Sequence, residues 1–198
     1  MIENEFVNKI KELIESNGRP NMGRNRFEHS IRVLKMCERL QSEVGGDLIV
    51  LQYAALLHDI GWSTTIPHAK VSHDIAIEIL KNLDLPEKQK KDIINCILVH
   101  SNKNNKNPDL TLEQKILIDA DILDETGALG IIFSSINSYR LSMDINYKNI
   151  LERLLINMKS NEKKIKEQLN LNLSCEILKE RINFIENFCI SMKSELFL

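Results

Sequence analysis

Helix-breaking residues are few in this 198-residue chain, with four prolines and seven glycines. Stretches that alternate polar and apolar residues are also scarce, which argues against a sheet. Cysteine is sparse: Cys37, Cys96, Cys175 and Cys189 are scattered, with no CxxC pair. That spacing suits neither a disulfide frame nor a zinc knuckle, and the four read as buried free thiols of a reducing compartment. No apolar run approaches the ~20 residues that cross a bilayer. The opening MIENEFVNKIKEL carries acids in amphipathic spacing, unlike a signal peptide. A cytoplasmic protein that does not engage membranes is the expectation. Net charge is nearly absent too, at −2 with a pI near 6.2, so no general basic field or long basic tract attracts duplex nucleic acid. A local basic site for phosphate stays compatible with that balance.

What is present is helical spacing along the whole chain, and it predicts an all-α fold with a substantial core in one domain, 1–198. Ile2, Phe6, Ile10, Leu13 and Ile14 form one stripe over 2–16, and SNGRPNMGRNR (16–26) breaks it. A second helix over about 27–44 is expected to bury Phe27, Ile31, Leu34 and Leu40 and to stop at Gly45-Gly46. The third runs over about 47–60. A fourth, near 68–83, carries Ala69, Ala76, Leu80 and Leu83 on one face. Pro86 marks the first turn of a fifth that reaches His100. The sixth holds IDADILDE, and helix resumes after Gly127. The last third, about 146–194, reads as two or three amphipathic helices, with Ile150, Leu151, Leu154, Leu155 and Met158, then Ile177, Ile182, Ile185 and Phe188. It contains no histidine, so it is expected to serve as scaffold, lid or oligomer contact, and a homodimer is left open.

Chemistry concentrates in AALLHDIGW, 54–62, where an apolar run delivers His58 and Asp59 side by side. An imidazole and a carboxylate make a poor core element but a good clamp for a divalent ion. The chain has only five histidines, and all of them (His29, His58, His68, His73, His100) fall in its first half near apolar helical positions. Asp119, Asp121, Asp124 and Glu125 add acids to an otherwise apolar helix. Helical spacing puts Asp124 and Glu125 on the face of Asp121, and Asp119 toward solvent. A carboxylate buried within ILIDADILD needs a cation beside it. Histidines and acids distributed this way suggest a shared polar pocket within a helical bundle.

The series His29, His58-Asp59 after AALL, and Asp121 in DADILDE resembles the HD-domain metal-dependent phosphohydrolase superfamily. HSIRVLKMCERL, AALLHDIGW, HAKVSHDIAIEIL, ILVHSN and ILIDADILDETGALGI follow in that family's order, over roughly residues 20–140. The resemblance implies a compact all-α bundle of the HD-domain type, with extra C-terminal helices beyond it. It implies that His29, His58, Asp59 and Asp121 bind a divalent metal ion (Mn, Mg, Fe, Co, Ni or Zn). It also implies that His68 and His100 hold a second ion or the phosphate, and that Asp59, His68 and His100 act in catalysis. His73 is five residues beyond His68, about 140° around an ideal helix, so the two do not both face one metal, and His73 is set aside.

Cations are needed to hold a phosphate. Arg24, Arg26 and Arg32 flank His29, while Lys103 and Lys106 follow His100. Of these, Arg26 and Arg32 are the candidates for a phosphate or carboxylate. The activity expected is hydrolysis of a small phosphorylated substrate, a nucleotide in the first instance. Six donors of this type also serve di-iron oxygenases in the same superfamily, and a nucleotide-sensing regulatory module is a third reading.

Overall fold

A computed structural model describes residues 2–17, 25–103, 109–141 and 145–197, and within them the secondary structure is nine α-helices and no strand. They are α1 (Asn4–Ser16), α2 (Arg26–Val44), α3 (Leu48–Leu57), α4 (His68–Lys81), α5 (Glu87–Val99), α6 (Leu112–Leu123), α7 (Ala128–Leu141), α8 (Tyr147–Glu167) and α9 (Asn172–Glu195). Among the described residues no helix is long and apolar enough to cross a membrane. Two compact units divide the chain, 1–121 and 122–198.

The first unit is organised on α3. Leu51, Ala54, Ala55, Leu56 and Leu57 are all fully buried, so this helix is apolar around most of its circumference and lies inside its unit. It packs against α1, α2 and α5, and α4 packs against α5. The caps are legible in the residues. Asn25 Oδ1 accepts from the Glu28 N–H at the start of α2. At its end the chain turns through Gly45 and Gly46, with φ of 83° and 104°, values that favour glycine. Asp47 then caps α3, its Oδ1 accepting from the N–H groups of Ile49 and Val50. Its Oδ2 accepts from Gln89 of α5, and its own N–H donates to Glu113 of α6, so one residue ties three helices. Thr111 and Gln114 form a reciprocal capping box at the start of α6.

Several expectations shift. Phe27 and Ile31 are half-buried; the inner face of α2 is His29, Ser30, Val33, Leu34, Cys37 and Leu40. Leu13 is exposed on α1 and Phe188 on α9. The third helix stops at Leu57, short of the expected 60, because the His58 side chain bonds back to a carbonyl of its own last turn. Pro86 stands just before the fifth helix, not within its first turn. Cys37, Cys96 and Cys189 are buried free thiols, whereas Cys175 is half-buried.

In the second unit α8 packs on α9, and α7 on both. Its core is Ile131, Leu151, Leu154, Ile185 and Cys189. The corner after α6 is held by Arg181, whose guanidinium donates to the Leu123 carbonyl and to Thr126 Oγ1.

Gly61 joins the His58-Asp59 turn to α4. A Cβ there would stand 2.4 Å from the Ser72 backbone nitrogen, and the Gly61 N–H already donates to the buried Ser72 hydroxyl at 3.0 Å. Gly61→Ala is expected to cost about 1–3 kcal/mol by forcing these backbones apart. Urea unfolding monitored by circular dichroism checks this, and an unchanged midpoint would contradict the close approach.

Candidate metal centre

The potential ligands of the first unit stand at helix ends. His29 lies in the first turn of α2, and His68 is the first residue of α4. His58 and His100 cap the C-termini of α3 and α5, and Asp121 lies in the last turn of α6. Helix C-termini concentrate carbonyl dipoles that favour a cation.

His58 and His100 are anchored alike. Each Nδ1 meets the carbonyl oxygen three residues earlier, Ala55 at 2.8 Å and Ile97 at 2.6 Å. A carbonyl only accepts, so both Nδ1 atoms carry the proton and both Nε2 atoms keep a lone pair. Backbone or carboxylate partners of this kind commonly orient metal-binding imidazoles. His58 Nε2 stands 3.2 Å from His29 Nε2, and His100 Nε2 stands 3.1 Å from His68 Nε2.

Asp59 lies between these two imidazole pairs. Its Oδ2 is 3.9 Å from His29 Nε2; its Oδ1 is 3.5 Å from His68 Nε2 and 3.9 Å from His100 Nε2. Asp121 Oδ1 is 3.4 Å from His29 Nε2. Three overlapping groups result: His29, His58 and Asp59; His58, His100 and Asp121; Asp59, His68 and His100. Within each the donor atoms lie within 4.8 Å of one another. Donors bound at about 2.1 Å to one ion stand about 3.0–3.4 Å apart along an octahedral or tetrahedral edge. The nearest pairs here, 3.1 to 3.5 Å apart, are close to that spacing. The His/Asp cluster could therefore hold a metal ion, and its mix of imidazole and carboxylate suits a borderline divalent one.

The electrostatics agree. Burial lowers the His58 imidazole below its usual range, although Asp59 and Asp121 oppose the shift. Burial, with His58 beside it, pushes His100 down to about 4. Both rings are thus neutral donors near pH 7. Burial alone would raise the Asp121 carboxyl, but the Lys103 ammonium, a hydrogen bond from His29 and the adjacent imidazoles outweigh it and hold the group well below the carboxylate range. Lys103 Nζ is 2.5 Å from Asp121 Oδ2, and Arg26 Nη1 is 3.9 Å from Asp59 Oδ2.

The structure thus brings together His29, His58, Asp59, Asp121, His68 and His100, with Arg26 at the edge. Arg32 is half-buried on α2. His73 pairs with its neighbour Asp74. Arg24 and Lys106 lie outside the described residues. Asp119, expected toward solvent, is fully buried, because α6 is enclosed around most of its circumference and helical spacing picks no outer face. α6 ends at Leu123, so Asp124 and Glu125 lie beyond it, and Glu125 takes a left-handed φ of 56°. Lys103 is the cation that sequence spacing could not single out. Its one signal was its place three residues after His100.

The HD domain family model matches residues 26–126, just over half of the chain. Ribonuclease Y of Fusobacterium nucleatum is 32% identical over 95 residues, which are 48% of this chain and 18% of that protein. A predicted HD superfamily hydrolase of an uncultured Thermotogales bacterium superposes with a TM-score of 0.68 at 21% identity, over 98% of this chain and 92% of the other. YpgQ of Bacillus subtilis, in a crystal structure with ADP, gives 0.67 at 18% identity, over 96% and 97%. The two structures share the fold. The family match spans α2 to α6, which carry all six potential ligands, and this chain belongs to the HD domain family.

Proposed function

We propose that this chain is a divalent-metal-dependent phosphohydrolase acting on a small phosphorylated substrate, a nucleotide in the first instance. The observation that carries the proposal is the division of the Asp59 carboxylate, with Oδ2 toward His29 and Oδ1 toward His68 and His100. On that arrangement His29, His58, Asp59 and Asp121 would hold one ion. His68 and His100 would hold a second, with Asp59 shared. A bound divalent ion supplies an acidified water and a Lewis acid for the phosphoryl oxygen.

The chain's own groups fill the remaining roles. Charge balance favours a phosphate: the carboxylates of Asp59 and Asp121 are offset by the cations of Arg26 and Lys103, which stand beside them. With the rings neutral, the positive charge of the bound ions is left without a counter-charge among these side chains, which attracts an anionic phosphate. Asp59, besides binding, orients the attacking water by accepting its proton in a hydrogen bond. His100 is buried and held neutral while His68 is 37% exposed, so of the second pair His68 is the ring that an entering substrate meets first. The likeness to a ribonuclease and the ADP complex of YpgQ support a nucleotide substrate. The same six donors also suit a di-iron oxygenase, and iron content with dioxygen uptake separates the two.

The deciding test is metal content by elemental mass spectrometry on protein purified without chelator, beside phosphate release from nucleotides and an aryl phosphate. Wild type is expected to carry about two divalent ions and to release phosphate, and His68→Ala to keep about one. His58→Ala and Asp59→Ala should lose metal and activity with helicity unchanged; full occupancy in both would refute the assignment.

Stability of the metal-free protein should depend on pH in a defined direction. In the unfolded chain the His100 imidazole takes its proton near 6.5, but in the folded chain only near about 4. Between these values the unfolded state binds more protons, so stability falls as pH drops from 6.5 to 4, by about 3 kcal/mol from this group. Denaturant titrations of chelator-treated protein across that window check it, and a flat profile would show that His100 is not held neutral.

A further inference from the structure

Asp59 and His68 bracket a loop that closes on the candidate centre, since Asp59 Oδ1 and His68 Nε2 stand 3.5 Å apart. Its sequence, Ile-Gly-Trp-Ser-Thr-Thr-Ile-Pro, contains no charged residue. It nevertheless leaves two large apolar side chains partly in water: Trp62 is 37% exposed and Ile66 48%. Exposing an indole forfeits the burial that normally recruits tryptophan to a core.

The loop is also preorganised. Gly61 is pinned to α4 by its bond to Ser72, and the Ile60 carbonyl accepts from the Asn17 side chain at 2.8 Å. The Ser63 hydroxyl accepts from the backbone N–H groups of Thr65 and Ile66, at 3.1 and 3.2 Å, and folds the tip on itself. Trp62 is three residues beyond Asp59, so its Cα lies at most about 11 Å from that of Asp59. A nucleotide whose phosphate sits among Arg26, Lys103 and the ligands extends its base over a comparable distance.

We infer that Trp62 is the platform on which the base of a nucleotide substrate stacks, and that it makes the site select nucleoside phosphates over phosphates without an aromatic base. The inference rests on the phosphohydrolase reading for the phosphate end. For the base end it rests on the uncharged, rigid loop and its exposed indole. Stacking uses the π-face common to all bases, so the base should be required while its identity matters less. Loops at ligand sites are where such selectivity resides.

Trp62 is the only tryptophan, so its emission reports this place alone. The full chain would be titrated, with and without manganese, with the four ribonucleoside 5′-monophosphates and with ribose 5-phosphate. At least one nucleotide is expected to quench the emission, and the sugar phosphate is expected not to. Calorimetry on folded variants gives the second measurement. Trp62→Leu should weaken the Kd of the best nucleotide about tenfold, Trp62→Phe by no more than about threefold, and neither should move the sugar phosphate. The phenylalanine rescue separates stacking from mere apolar packing, which leucine also supplies. Emission unchanged by every nucleotide, or equal behaviour of the two variants, overturns the inference. Quenching without phosphate release under any divalent ion would uphold Trp62 as the base platform and remove the phosphohydrolase reading instead.

Discussion

Two backbone carbonyls, those of Ala55 and Ile97, decide what the buried rings can do. Each takes the Nδ1 proton of the imidazole that caps its own helix, at 2.8 and 2.6 Å, and leaves the Nε2 lone pair facing inward. Without that constraint a buried histidine is free to present a donor or an acceptor. With it, two inward lone pairs are set against His29, His68 and the carboxylates, an arrangement that favours a shared cation. The same local device occurs twice, at the ends of AALLH and CILVH.

The helices are arranged so that this device is affordable. Charged and polar groups are costly to bury unless paired, and here the two carboxylates of the candidate site each have a cation beside them, Arg26 for Asp59 and Lys103 for Asp121. The C-terminal ends of α3, α5 and α6 carry ligands, so carbonyl dipoles add negative potential around them. The apolar α3 at the centre of its unit supplies the rigid support, and Asp47 fixes its start against α5 and α6. Placing donors on helix ends, with caps and close backbone contacts behind them, keeps the separations within the range of a coordination polyhedron.

The helices were legible because their apolar spacing, glycine stops and caps act locally. Asn25, Gly45 and Asp47 each act within a few residues along the chain. The clustering of histidines and the His58-Asp59 pair marked the candidate site in advance. Local rules failed where enclosure was complete, since Asp119 is buried on a helix with no outer face, and where the helix ends, since Glu125 lies past α6 in a left-handed conformation. Phe188, in an apparently good stripe, is exposed because spacing shows that a face is apolar and not what meets it.

By itself the sequence determined the helical class, the order of the elements and the residue types able to bind a divalent ion, because each follows from periodicity and side-chain chemistry over short spans. The tertiary structure alone decided that His68 and His100 join the other four donors, that Asp59 faces two imidazole groups with different oxygens, and that Lys103 is the lysine at Asp121. These are relations between atoms on different helices or on either side of a loop. Only packing sets such distances, and an ångström separates a ligand from a bystander.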